Sequence, residues 1–441
     1  MTGATLRESE TFSVPFGRGE RSFRLPPGVS GMVVRSRPAP PVADVQAAIR
    51  AALAAPIGAP PLRDLARGKR RVCIAVTDAT RACPDSLLVP PMLEELEAAG
   101  VPDEAITILV AVGAHRPSTD AEKREKLGDA IVNRYRVVDH NPHDEANLVT
   151  VADGPDGTPF SVNRIAAEAD LLLATGRVEP HQYAGYSGGG KTVAIGCAGE
   201  AIIAATHGPA MLDQPGVRLA QLAGNPFQEA VRRVASAVGL DWVANCVLDE
   251  EERLVAVSFG APEAVHDHLA KIASEIYTVP VPAQADIAVA GVGYPKDQNL
   301  YQASRAATYL QFAPTPVVRP GGAIILPAPC PEGAGQGSGE QRFLAAMAEP
   351  GGPPAIVEKA RREGIRPGEQ RAYILARVLE QVTIIVAGAV EPSAVEAVGC
   401  VPAPDIETAL EMAVERVGTP ATALVIPHAL LTLPIVAERR G

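Results

Sequence analysis

The chain has 441 residues, 47% apolar and 21% charged, the composition of a folded globular protein of two or three domains. A net charge of −11 excludes a general nucleic-acid binder, which needs a basic face, but not small anionic ligands held by a few local cations. The six cysteines (Cys73, Cys83, Cys197, Cys246, Cys330, Cys400) form no C-x-x-C pair, which argues against a zinc knuckle or a dithiol centre.

The N-terminal "MTGATLRESETF" lacks the apolar core of a signal peptide, and no window approaches about eighteen apolar residues. A soluble cytoplasmic protein is expected, with no membrane and no nucleic acid among its partners. Residues 10–25 read as two short strands around a Gly-Arg-Gly turn, and a helix follows at 41–54. Apolar strands and amphipathic helices then alternate: strand 72–78, helix 85–99, strand 106–112, helix 120–128, and strands 135–139 and 169–175. "VPVPAQAD" (279–286) reads as a linker. Beyond it a second series of strands runs at 285–291, 321–328, 382–388 and 421–427. Continuous apolar strands alternating with helices predict largely parallel sheets covered on both faces. The expected class is therefore α/β, with domains at 1–275 and 284–441 and an active-site cleft between them. Residues 331–341, "PEGAGQGSGEQ", form a glycine-rich loop at the end of one strand.

"GYSGGGKT" (185–192) fits the phosphate-loop pattern G-x-x-x-x-G-K-[ST]. A true phosphate loop follows its strand directly. Here the strand ends near Thr175, and nine residues, Pro180 and His181 among them, precede Gly185. No segment clearly supplies a magnesium-holding aspartate. Four glycines before a lysine suit a backbone that closes on a ligand, with Lys191 beside it or bonded to it.

Three of the eight histidines stand at strand ends or beside that loop: His115 in "VAVGAHRPST", His181 in "EPHQYAGYSGGGK" and His207 in "AATHGP". Each alone would ordinarily be a hydrogen-bonded structural group; three together suggest a site. His140 and His143 read as part of a polar turn, His266 and His268 as part of a charged helix face, and His428 as a bland position near the C-terminus. In "VTDATRACP" (76–84), Asp78, Thr80 and Arg81 again follow a strand, and Arg81 could fork onto a carboxylate. Asp85 or Ser86 can cap the next helix without Asp78.

The segments "DATR", "GAHRPST", "NRIAAEADLL", "HQYAGYSGGGK", "NCVLDE", "GYPKDQNLYQA" and "ILARVL", in this order over nearly the whole length, resemble the lactate racemase family. That family uses a nickel-pincer nucleotide, a pyridinium-3-thioamide-5-thiocarboxylic acid mononucleotide carrying nickel, to racemise or epimerise 2-hydroxy acids. The resemblance implies that Lys191 holds the cofactor covalently, with Gly188, Gly189, Asp78 and Thr80 around it, and that His207 ligates nickel. His115 and His181 would be the paired acid/base groups. Arg81, Asp78 and Gln302 would contact substrate. Cofactor-biosynthesis proteins would be partners. The chemistry agrees: inverting a carbinol carbon needs a hydride acceptor that no side chain provides, a base on each face, and a cation fixing the carboxylate.

The chain departs from lactate-specific members at Arg305, where lysine is common, and at Gln370, where those members carry tryptophan. Arginine suits a second carboxylate, and Lys296 adds a possible positive charge. A dicarboxylic 2-hydroxy acid such as malate is therefore expected over lactate. Lactate racemase proper, an ATP-dependent enzyme using the 185–192 loop, and a non-catalytic carrier of the nucleotide are the alternatives.

Overall fold

The computed structural model describes residues 11–154 and 157–437. Glu10 and most of the N-terminal stretch read above for a leader lie outside the described residues. The chain folds as two units. One comprises residues 38–217 and 221–275; the other comprises residues 11–37, 218–220 and 276–437.

The first unit is built on a six-stranded sheet. Its order is Leu254–Gly260, Leu240–Leu248, Leu171–Arg177, Val72–Thr77, Ile106–Ala111, Arg136–Asp139. All neighbours are parallel except the first pair. "VCIAVT" is buried along nearly its whole length, as a central parallel strand must be. Helix Asp85–Ala98 packs Leu88, Val89, Met92 and Leu96 against this sheet. Helix Asp120–Leu127 starts at a capping box, with the Thr119 side chain taking the Glu122 N–H and Glu122 returning to Thr119.

The second unit carries an all-parallel sheet ordered Val401–Ala403, Thr383–Ala387, Val318–Pro327, Ala285–Ala290, Ala421–Ile426, Val29–Val33. Its edge strand comes from the start of the chain, pairing Val29 with Ala421 through Val33 with Val425. Residues 11–37 therefore belong with the C-terminal half, which differs from the division at 1–275 expected from sequence. The reason is physical: "VSGMV" is too short to stand alone, and the sheet edge supplies its ladder.

The class is α/β with largely parallel sheets, as expected. Three local readings differ. The presumed linker overlaps strand Thr278–Val281, paired with Leu433–Val436; its Pro280 is tolerated because the pair has only one hydrogen-bonded edge. The hairpin Leu148–Asp153 with Pro159–Asn163 was not anticipated. Helix Ser338–Met347 begins inside the glycine-rich 331–341 stretch, where the Gly337 N–H donates to Glu340 Oε2 at 2.8 Å.

Candidate active site

In open α/β sheets a ligand site forms beyond the carboxyl ends of the strands, where the winding direction reverses. In the first unit the reversal falls at Val72–Thr77, flanked by Ile106–Ala111 and Leu171–Arg177. Asp78, Thr80 and Arg81 follow the central strand, His115 follows one neighbour, and His181 through Lys191 follow the other.

Asp78 is buried, and all its acceptors face within this loop cluster. Oδ1 accepts the Thr80 N–H at 2.7 Å and the Thr80 hydroxyl at 2.5 Å; Oδ2 lies 2.7 Å from His115 Nδ1. Burial alone would raise this carboxyl, but the His115 hydrogen bond and charge, Arg81 and Thr80 outweigh it and hold it well below its ordinary value. An ionised carboxylate only accepts, so His115 donates from Nδ1 and Nε2 becomes the basic nitrogen. Asp78 thus orients His115, while Arg81 is exposed beside it.

His181 is set the other way. Its Nδ1 accepts the backbone N–H groups of Tyr183 (3.3 Å) and Ala184 (3.1 Å), so the neutral ring carries its proton on Nε2. His207 ends helix Glu200–His207, and its Nδ1 faces Ile203 O at 3.1 Å and Thr206 Oγ1 at 2.9 Å. The Thr206 hydroxyl is itself turned to Ile202 O at 2.7 Å. His207 Nδ1–H is therefore the donor and Nε2 carries the lone pair, the setting found for metal-ligating imidazoles. Tyr183 and Phe227 bring His181 and His207 into one aromatic cluster. Phe227 lies 6.2 Å from the His181 ring and 5.2 Å from His207; Tyr183 lies 5.7 Å and 5.5 Å away. Buried Asn225 fixes that cluster by donating to Tyr183 O at 2.8 Å while capping the helix that carries Phe227.

The glycine loop is not a phosphate loop. Gly185 belongs to a two-residue hairpin with His181, and the helix after Gly190 is one turn, Lys191–Ala194. Three of its N–H groups are already used. Ser187 donates to Glu179 O, Gly189 to Asn245 Oδ1 and Lys191 to Gly188 O.

Several supporting residues escaped the sequence reading. Asp85 does not cap its helix; Pro84 holds the cap position without a side-chain bond. Fully buried, Asp85 instead accepts from Thr77 at 2.9 Å and from Thr175, and pairs with Lys126 at 2.9 Å. It ties the ends of two site-bearing strands together. His266 is not on a charged helix face but 1% exposed. Burial first, then Arg232, pushes its imidazole down to about 4, so it is neutral near pH 7. His140 is likewise buried, bonded to Ala198 O at 2.9 Å and to Asn163 Nδ2 at 3.2 Å, a structural role.

The remaining candidates lie in the second unit. Asn299 caps a short helix, Leu300–Ala303, by accepting the Gln302 N–H at 3.0 Å. A second helix, Arg305–Gln311, starts after Ser304, so "YQASRAATYL" is two helices and not one. Arg305 nevertheless reaches Gln302 Oε1 at 3.3 Å and Tyr309 OH at 3.0 Å. Lys296 is half-buried. Gln370 opens helix Gln370–Leu379 and its Oε1 accepts the Gly368 N–H at 2.6 Å, so its oxygen serves its own loop.

Imidazoles set in opposite tautomers after two strands of one sheet, with a lysine after the glycine run, stand at the strand ends where an α/β fold takes a ligand. Comparison with known proteins specifies it. A model described as the lactate racemase N-terminal domain matches residues 16–220, and one described as the lactate racemase C-terminal domain matches residues 281–433. The chain is 34% identical to a lactate racemase of Lactiplantibacillus plantarum over 390 residues, covering 87% of this chain and 90% of that protein. It is 30% identical to a lactate racemase of Thermoanaerobacterium thermosaccharolyticum over 417 residues, covering 94% and 96%. The lactate racemase apoprotein structure from that organism superposes with a TM-score of 0.88 at 30% identity, covering 97% of this chain and all of that one. A Thermotoga maritima protein shares the fold alone, at TM-score 0.65 and 18% identity over 86% and 98% of the two chains. The chain belongs to the lactate racemase family. It is a racemase, and so an isomerase.

Proposed function

We propose that the chain racemises a 2-hydroxy acid, with His115 and His181 as the acid/base pair and a nickel-pincer nucleotide attached through Lys191. The observation that carries this reading is the opposite setting of the two imidazoles. Asp78 leaves His115 with a basic Nε2, whereas the backbone of Tyr183 and Ala184 leaves His181 with Nε2–H. Inversion of a carbinol carbon needs a proton taken on one face and given on the other, and two imidazoles whose Nε2 atoms are set oppositely suit that exchange.

The residues fit the cofactor. His207 Nδ1 is turned to its own helix, which suits Nε2 for nickel. Among the described residues no three His, Cys, Asp or Glu side chains group to hold a metal. Nickel beside His207 would therefore draw its other donors from the nucleotide. When bound, that group supplies the acceptor for the carbinol hydrogen that side chains lack. Lys191 is the attachment point, with Gly188, Gly189, Asp78 and Thr80 as further contacts to the nucleotide; Asp78 also keeps His115 in its tautomer.

Arg81 and Gln302 hold the substrate carboxylate and hydroxyl. Arg305, with Lys296 and Gln370, favours a second carboxylate, so a dicarboxylic acid such as malate is preferred to lactate. Cofactor-biosynthesis proteins load the chain, and the cytoplasm is its compartment. The test is racemisation of L-malate and L-lactate followed by circular dichroism, on enzyme whose nickel content and Lys191-linked mass are measured in parallel. Turnover of neither acid by fully loaded enzyme overturns the function. Preference for lactate overturns only the dicarboxylate assignment.

A further inference from the structure

Lys191 leaves a turn whose shape is imposed from outside the loop. Gly188 and Gly189 both have positive φ, +86° and +57°, which most side chains avoid. On one side of the turn lies Asn245, fully buried on strand Leu240–Leu248 within the segment "NCVLDE". Its Nδ2 donates to Ala244 O at 2.9 Å, which turns Oδ1 toward the loop to accept the Gly189 N–H at 2.6 Å. On the other side lies His266. A Cβ at Gly189 would fall 2.9 Å from the His266 ring, and the ring Nε2–H donates to Ser187 O at 3.0 Å. Beyond the lysine, Thr192 Oγ1 donates to Thr175 O at 2.7 Å. Residues 187, 189 and 192 are thus each fixed by a group distant in sequence.

The back of the turn faces a cavity of about 140 Å³ lined by Gly190, Gln228, Arg232 and His266 among others. His266 Nδ1 and Gln228 Oε1 have no partner among the described residues. Leaving a buried polar atom unpaired costs stability, so an apolar ring would suit packing better. The imidazole is accounted for by what its other nitrogen does at Ser187.

We propose that Asn245 and His266 are positioning residues that aim the Lys191 amine, Asn245 by holding the Gly189 N–H and His266 by holding the Ser187 carbonyl. This rests on Lys191 being the attachment point, but it is readable without any cofactor. The full apo chain is treated with limiting acetic anhydride, and acetylation of Lys191 is compared by mass spectrometry with that of exposed Lys271. Asn245→Leu and His266→Phe should raise the Lys191 rate relative to Lys271 at least five-fold. His266→Gln, whose amide N–H can still reach Ser187 O, should stay within two-fold of the unaltered chain. An unchanged or lowered Lys191 rate in Asn245→Leu and His266→Phe overturns the proposal, as does a His266→Gln rate equal to that of His266→Phe. Should those variants fail to fold, hydrogen exchange on the unaltered chain decides: the Gly189 amide should exchange at least a hundred-fold slower than in an unstructured peptide, and peptide-like exchange overturns it. If the acetylation pattern holds while loaded enzyme carries no added mass at Lys191, the positioning stands and the proposed function fails.

Discussion

Replacing Asp78 by asparagine tests whether a carboxylate sets the tautomer of His115. In the wild type one oxygen takes two donors from Thr80 and the other takes the His115 Nδ1–H. Asparagine has one oxygen. Turning its NH₂ toward Thr80 would oppose two donors, so the oxygen stays with Thr80 and the NH₂ faces His115. The imidazole must then accept at Nδ1 and carry its proton on Nε2, the wrong nitrogen for a base. Loss of one general base costs about 10²–10⁴ in rate. At about 1.36 kcal/mol per decade, even the lower bound is roughly 2.7 kcal/mol in the barrier. The folding cost is smaller. A hydrogen bond to a charged group contributes about 1.5–3 kcal/mol, and the His115 side chain is 45% exposed, so solvent screening leaves about 1 kcal/mol.

The assay is racemisation by circular dichroism alongside urea unfolding, with imidazole ¹⁵N shifts reporting the tautomer. Expected are a hundred-fold or greater fall in kcat, a stability loss near 1 kcal/mol, and transfer of the His115 proton to Nε2. The stability difference has a definite sign with pH. The folded carboxyl is depressed, so the wild type's advantage is full above the ordinary value of 3.8 and is lost as the pH falls through the folded value. A variant within three-fold of wild-type kcat, with His115 still protonated on Nδ1, refutes the reasoning.

His207→Ala should lower bound nickel to less than about a tenth of wild type, whereas His115→Ala should keep its nickel and lose turnover; elemental analysis beside the racemisation assay separates the two. Arg305→Lys should shift the malate-to-lactate ratio of kcat/KM toward lactate by about ten-fold or more, since a forked charge-assisted contact is worth about 1.5–3 kcal/mol; an unchanged ratio removes Arg305 from specificity. Lys126→Met strands the fully buried Asp85 carboxylate, which costs about 3 kcal/mol. At about 2–4 °C per kcal/mol, calorimetry should show a Tm lower by roughly 6–12 °C. His266 is buried neutral, so the stability it contributes is present above pH 6.5 and lost as the pH falls toward about 4. His266→Gln should therefore flatten the stability profile across that window in urea titrations.

The two sheets were legible because a buried parallel strand is written as a continuous apolar run, as in "VCIAVT" and "TIIVA". The candidate groups were legible because unusual residue types, glycines before a lysine and histidines after strands, stand where such sheets bind ligands. What was not legible are residues whose role exists only once distant segments meet. Asp85 looks like a helix cap in sequence, and nothing local says that Thr77, Thr175 and Lys126 converge on it. Two of the missed residues did leave a trace. His266 stands three, four and seven positions before buried Leu269, Ala270 and Ala273, a spacing that puts it on the buried face despite its charged neighbours. Asn245 interrupts a strand otherwise buried and apolar from Trp242 to Leu248, and a buried amide must have a partner. Both traces lead to one glycine turn. The proposed attachment point needs only a lysine, which sequence displays; the proposed aiming needs a fixed backbone, which a run of glycines cannot provide for itself. The rigidity must then come from neighbouring elements, and it is supplied here by a strand and a helix whose sequences show only an out-of-place polar residue.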